Sequence, residues 1–114
     1  MADSAHTKKR RGERVFIRVP VEVRGITEEG APHSEGAHTG VVGQFGAMIH
    51  CSHRLRLRSQ VEVINRFSQR AMKFRVAWIG EQGKDGFWDI GLEAVGPIDD
   101  FWGVRFPSKH SDTP

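Results

Sequence analysis

Apolar and polar residues alternate with a period of two in several short stretches of this chain. Every second position is apolar across five segments, namely 17–23, 47–51, 61–63, 73–78 and 88–92. A strand with this pattern buries one face and exposes the other, which is typical of an antiparallel sheet. A further strand around 36–42 brings the predicted total to about six short strands.

Turns are predicted between these strands because glycine and proline recur too often for long helices to form. Segments 27–34 and 81–86 are polar and are predicted hairpin loops. So many short strands close into a barrel or fold into a sandwich. Pro20 lacks an amide hydrogen, so we expect the first strand to lie at an edge or to carry a bulge.

The strand pattern also assigns the aromatic residues. Phe74, Trp78 and Trp88 fall on apolar positions and are predicted core residues, whereas Phe45 falls in an exposed loop. Near the C-terminus, the chain carries three more aromatic residues, which we expect to pack against the barrel: Phe101, Trp102 and Phe106.

The length of 114 residues predicts one domain. No apolar run approaches the roughly 18 residues of a membrane-spanning helix, and the first ten residues contain no secretory signal. Because Cys51 is the single cysteine, no internal disulfide can form. We therefore expect a cytoplasmic protein without membrane insertion.

Charge is unevenly distributed along the chain. Residues 8–24 carry seven basic groups against two acidic ones, and residues 50–75 carry seven against one, whereas residues 81–114 are acidic overall. Twelve of the 17 basic residues are arginine. Because a guanidinium group forms paired hydrogen bonds with phosphates and stacks on bases, this bias favours an anionic partner such as a nucleotide.

Five segments, in order, resemble four motifs of PilZ domains. Arg14-Val-Phe-Ile-Arg18-Val-Pro20 is similar to the arginine-x-x-x-arginine opening of that family, and 39–49 occupies the place of its second motif, Asp/Asn-x-Ser-x-x-Gly. Segments 74–80 and 88–93 resemble the closing hairpin, and 97–107 resembles the ending of a short PilZ subtype. The resemblance covers roughly residues 10–107.

The resemblance implies an all-β fold, a six-stranded antiparallel barrel over 10–107, that binds the bacterial second messenger cyclic di-GMP. A flexible basic arm is expected at 1–9 and a disordered tail at 108–114. Arg14 and Arg18 correspond to the two motif arginines. Arg10 and Arg14 have the same spacing, so the register stays open, and Arg11 is a further candidate contact from the arm.

The second motif departs from the family pattern. Val41 stands in place of the Asp/Asn and Gly43 in place of the Ser, whereas Gly46 matches. Losing a polar partner for a buried base group costs about 1–3 kcal/mol each, so weakened binding is expected. The backbone amides of Gly43 and Gly46 would compensate in part, although the same glycines also fit a simple tight turn.

Three functions remain open. The first is a cyclic di-GMP receptor, the second a PilZ-fold adaptor that acts through an unidentified downstream protein without the nucleotide, and the third, disfavoured, a basic barrel that binds RNA or single strands. No assembled catalytic site is recognisable, so no enzymatic activity is expected. His50 and Cys51 point to opposite faces of a strand, and with His53 they do not form a ligand set, so no metal is expected.

Overall fold

The computed structural model describes residues 14–96, 98 and 100–104, and in these ranges it is all-β. Seven strands follow one another along the chain: β1 (Arg14–Val15), β2 (Pro20–Ile26), β3 (Pro32–Gly43), β4 (Gly46–Cys51), β5 (Gln60–Asn65), β6 (Ala71–Gln82) and β7 (Trp88–Ala94). The predicted arm 1–9, the two candidate arginines Arg10 and Arg11, and the predicted tail 108–114 lie outside the described ranges.

Six of the strands form a closed antiparallel barrel, which confirms the predicted all-β architecture. Their order is β3-β2-β5-β6-β7-β4, and the pairing of β4 with β3 closes the ring. The short β1 pairs with the end of β3 instead of entering the ring. Closure leaves the six strands without a free edge. Across the described ranges, no helix has the length and apolarity needed to cross a bilayer.

The barrel interior is filled by the apolar positions that the alternation predicted. Val21, Val23, Ile49, Val63 and Ile90 are all fully buried. The aromatic tail closes one side of this core, as predicted for Phe101 and Trp102, whose rings lie 6.0 and 5.9 Å from that of Phe74. Asn65 fixes the tail, because its side-chain amide donates a hydrogen bond to the Phe101 carbonyl at 2.8 Å. Phe106 lies outside the described residues.

The predicted first strand, 17–23, begins only at Pro20, and the expectation for Pro20 is wrong. Pro20 is the first residue of β2, which lies between β3 and β5 and not at an edge. A strand tolerates proline at its first position because no ladder hydrogen bond is required there. The break before it is bridged by buried Thr39, whose hydroxyl accepts from the Val19 amide at 2.8 Å and donates to the Ile17 carbonyl at 2.6 Å.

A β-bulge in β6 overturns the prediction that Trp78 belongs to the core. Val76 pairs with Leu92 but Trp78 pairs with Gly91, so Ala77 is one extra residue on β6. An extra residue shifts the inward and outward phase of the strand. Trp78 is consequently turned outward and is 50% exposed. A similar register shift on β3 leaves Gly40 as the extra residue opposite β4.

The structure also tests the predicted loop at 27–34 and the predicted positions of Trp88 and Phe45. The loop predicted at 27–34 is shorter than expected, because β3 already begins at Pro32. Trp88 packs against the core although it is partly exposed, and Phe45 lies exposed in the turn between β3 and β4, as predicted.

Candidate functional site

An open cleft of about 700 Å³ lies on the outer surface of the barrel, between the β3–β4 turn and strands β6 and β7. Its volume falls in the range of small-molecule sites, about 300–1,000 Å³. It is lined by Arg14, Val41, Gly43, Gln44, Phe45, Gly46, Ala47, Met48, Ala77, Trp78, Gly91, Leu92 and Glu93. Four of the seven residues proposed from the sequence are therefore brought to this one cleft.

Strand pairing explains why the two motif regions meet. Arg14 of β1 lies directly opposite Gly43 at the end of β3, so the first motif is held beside the second. Gly46 opens β4 opposite Glu93, and a Cβ at position 46 would overlap the carbonyl oxygen of Leu92. Glycine at 46 is thus required by the close approach of β4 to β7, independently of any ligand.

The two motif arginines occupy different positions. Arg14 is exposed and lines the cleft. Arg18 lies in the link between β1 and β2, is also exposed, and is not among the residues that line the cleft. Its charge acts on His38, since burial first, and then the nearby Arg18 and His50, lower the pKa of that imidazole.

Trp78 is the cleft residue that sequence reasoning misplaced. Its indole lies across the outer surface of β6 and β7, where a Cβ on Gly91 would overlap the five-membered ring. At the other end of the ring system, Cζ3 lies 3.5 Å from the position that a Cβ on Gly80 would occupy. Gly91 thus makes room for a flat, half-exposed aromatic surface, whereas a Cβ at position 80 would only be in ordinary contact with it.

The remaining polar groups of the cleft differ from those of the family motif. Val41 contributes only hydrocarbon and Gly43 only backbone, while Gln44 and Glu93 supply an amide and a carboxylate. Glu93 is exposed, so its carboxylate is available to accept hydrogen bonds. A cation, an aromatic face and a hydrogen-bond acceptor in one cleft suit a heteroaromatic ring that carries phosphate.

A second polar cluster lies around His50 of β4. The imidazole is 2.8 Å from Asp89 through Nδ1 and 3.1 Å from Asp85 through Nε2, and it stacks on Phe87 with 5.1 Å between ring centroids. The hydrogen bonds to Asp89 and Asp85 raise the pKa of His50. Its neighbour Cys51 is buried, and burial, aided by the charge of Glu35, raises the thiol pKa to about 12.

The chain matches no family model, and no curated protein matches it.

Proposed function

We propose that this chain is a cyclic di-GMP receptor that takes up the nucleotide in the cleft between the β3–β4 turn and strands β6 and β7. The identity of the ligand comes from the resemblance of residues 10–107 to PilZ domains. The observation that carries the proposal is that Arg14 and the exposed face of Trp78 line the same cleft. One supplies a partner for phosphate and the other a partner for a base.

Arg14 contributes the charge. Its side chain is exposed and lines the cleft, so that the guanidinium can contact a phosphate bound there. A charge-assisted hydrogen bond of this kind contributes about 1.5–3 kcal/mol. Arg18 acts from the adjoining link, and we place it at the second phosphate of the same ligand.

Trp78 contributes the stacking surface. Stacking of a base on an aromatic side chain is worth about 1–3 kcal/mol. Because the ring is supported from below by the backbone of Gly91, it is already oriented for a base and loses little rotational freedom on binding.

Glu93 and Gln44 take over the recognition of the guanine edge from the altered second motif. A carboxylate accepts from the ring and exocyclic N–H groups of guanine, and an amide both donates and accepts. Both residues line the cleft that Val41 and Gly43 also line. This substitution of partners makes the affinity lower than that of a complete motif, because neither residue occupies the motif position.

Calorimetric titration of the full chain with cyclic di-GMP tests the proposal. We expect Arg14→Ala and Trp78→Ala each to weaken binding by about tenfold or more, which corresponds to 1.4 kcal/mol. Matched controls are Arg66→Ala and Phe67→Ala, an exposed arginine and an exposed phenylalanine that do not line the cleft. Titrations with GTP and a short RNA measure selectivity, and steep salt dependence with RNA would instead favour the nucleic-acid hypothesis.

A second function, an adaptor that works through protein contacts alone, is favoured by the apolar character of Val41 and the missing side chain of Gly43. The same titration separates the two. If folded wild-type protein does not bind cyclic di-GMP, the receptor proposal fails and the cleft with its exposed Trp78 becomes the expected surface for a protein partner.

A further inference from the structure

Three potential metal ligands meet at one end of the barrel, away from the cleft. His33 and Glu35 are two residues apart on β3, so their side chains share one face of the strand. His53 joins them from the segment that follows β4. The nitrogen Nε2 of His33 lies 2.7 Å and Nδ1 of His53 lies 3.8 Å from Oε1 of Glu35. All three ligand atoms lie within 4.8 Å of one another.

Glu35 is unusual because it is an acidic residue on the inward-facing row of a barrel strand. It pairs with Val23 of β2, whose side chain is fully buried, and its own side chain is only 13% exposed. A carboxylate with so little water around it requires fixed polar partners.

The partners of Glu35 hold it in one orientation. Ser52 donates from its backbone amide to Oε2 and from its hydroxyl to Oε1, both at 2.9 Å. Burial opposes ionisation of Glu35, but the hydrogen bonds from His33 and Ser52 outweigh it, and the pKa lies below its ordinary value. Ligating carboxylates in metal sites are held by outer hydrogen bonds of this kind.

We propose that His33, Glu35 and His53 form a binding site for a divalent transition-metal ion of the zinc type. His33 provides Nε2, His53 provides Nδ1 and Glu35 provides a carboxylate oxygen. Tetrahedral bonds of about 2.0–2.1 Å place ligand atoms about 3.3 Å apart. On metal binding, the 2.7 Å distance from His33 to Glu35 would therefore lengthen, and the 3.8 Å distance from His53 to Glu35 would shorten, by about half an ångström each.

Side-chain rotations of His33 and His53 would be needed to reach this geometry, with the two imidazole nitrogens approaching each other from a separation of at most 4.8 Å. His53 is 58% exposed, and its Nδ1, which lies 3.1 Å from the hydroxyl of Ser52, would exchange that hydrogen bond for the metal as the ring turns. It already lies against the ring of His33, with 4.2 Å between the two ring centroids. The hydrogen bonds from Ser52 to Glu35 stay in place when His33 exchanges its hydrogen bond for the metal.

The donor set selects the class of ion. Two imidazoles and one carboxylate suit zinc and its neighbours in the first transition series, whereas Mg²⁺ and Ca²⁺ prefer oxygen ligands only. Three protein ligands leave the fourth position to water or to a donor from another molecule. The ion would join the start of β3 to the segment after β4 and thereby tighten this end of the barrel.

Titration of the full, metal-free chain with Zn²⁺ tests the site, with Mg²⁺ as the competing ion. We expect one Zn²⁺ per chain at this site, no displacement by excess Mg²⁺, and a rise in the unfolding temperature on Zn²⁺ addition. Substitution of Co²⁺ for Zn²⁺ should give the intense visible absorption of a four-coordinate ion. Absence of Zn²⁺ binding by the folded chain would overturn the proposal.

Three variants test whether Zn²⁺ binds at these residues. His53→Gln alters an exposed side chain and should lower Zn²⁺ affinity by at least about tenfold without unfolding the barrel. Glu35→Gln should abolish the rise in unfolding temperature. His50→Gln is the matched control, because His50 also contacts carboxylates but lies outside the cluster. Binding that survives His53→Gln and Glu35→Gln, or that His50→Gln removes, refutes the assignment.

Discussion

The indole of Trp78 lies against the backbone of Gly91 on the neighbouring strand, at a point where any side chain on residue 91 would overlap the ring. The two residues are paired across β6 and β7 directly beyond the bulge at Ala77. The bulge turns the indole outward, and the glycine gives it a flat support. The orientation of the exposed ring therefore depends on the lack of a side chain at position 91.

Gly91→Ala is expected to displace the Trp78 ring. The new methyl group cannot share the space with the indole, so we expect cyclic di-GMP affinity to fall by about tenfold. Overpacking of this kind also lowers the free energy of unfolding by about 1–3 kcal/mol. Calorimetric titration and urea unfolding measure the two effects.

Gly96→Ala is the control for this change, because a Cβ at position 96 meets no atom within 4 Å. It should leave affinity and stability unchanged. Equal behaviour of the two variants would show that Gly91 does not position the ring.

The double change Val41→Asp with Gly43→Ser is expected to restore polar contacts at the altered second motif. Val41 lines the cleft and is partly exposed, so the fold can accommodate a polar residue there. One recovered hydrogen bond to guanine tightens cyclic di-GMP by roughly tenfold, because 1.4 kcal/mol is one decade. Calorimetry on the wild type and the double variant measures this gain.

A carboxylate at position 41 also repels phosphate if it points the wrong way. Val41→Asn with Gly43→Ser is the matched variant that offers the same shape without the charge. If neither double variant, still folded, binds more tightly than wild type, the nucleotide does not occupy this part of the cleft and the adaptor hypothesis gains.

Thr39→Val is expected to loosen the junction between β1 and β2. The hydroxyl of Thr39 satisfies both the Val19 amide and the Ile17 carbonyl, and valine keeps the shape while removing both hydrogen bonds. Buried groups left unpaired cost about 1–3 kcal/mol of unfolding free energy. Urea unfolding measures the loss, and Ser34→Ala, at an exposed position, should change stability by less than about 0.5 kcal/mol. A Thr39→Val variant as stable as wild type would contradict this account of the junction.

His50 is expected to make stability depend on pH. Its pKa is raised by Asp89 and Asp85, so protonated His50 is favoured in the folded protein. This contribution is fully present below the unfolded-state value, about 6.5, and is lost as the pH rises through the folded-state pKa. We therefore expect His50→Gln to destabilise the barrel more at about pH 6 than at about pH 8.5.

Wild type must be compared with His50→Gln because His38 makes stability change with pH in the opposite direction. Its pKa is lowered by burial, Arg18 and His50, so its contribution falls as the pH drops. Unfolding of both proteins at the two pH values isolates the contribution of His50, including its smaller effect on the pKa of His38. An equal effect of His50→Gln at both values would show that the contacts with Asp85 and Asp89 carry no net charge interaction.

The alternation of the sequence was sufficient to predict the barrel strands because side chains of a strand alternate between its two faces. Val21, Ile49 and Ile90 were placed inside on this basis and are fully buried. Trp78 was misplaced because the bulge at Ala77 reverses the phase within β6, and nothing in the local pattern marks the extra residue. Gly91, whose missing side chain leaves space for the ring, was the available signal.

The candidate sites were predictable to different degrees. Spacing and resemblance brought Arg14, Val41, Gly43 and Gly46 together, and the pairing of β1 with β3 places them around one cleft. The cluster around Glu35 was missed because the predicted loop, 27–34, includes His33 and the predicted strand starts only after Glu35, whereas β3 begins at Pro32. The segments that carry the ligands are about 20 residues apart, and the antiparallel pairing of β3 with β4 brings them together.

The burial of Cys51 has a practical consequence. With a pKa of about 12, roughly one thiol in 10⁵ is ionised at pH 7, and the thiolate is the reactive form. The protein's single cysteine is therefore expected to be unreactive toward alkylating reagents and mild oxidants while the barrel is folded. A cysteine introduced at an exposed position beside the cleft becomes the one labelling site of the folded chain, and a fluorophore attached there reports on the cleft without removal of the native thiol.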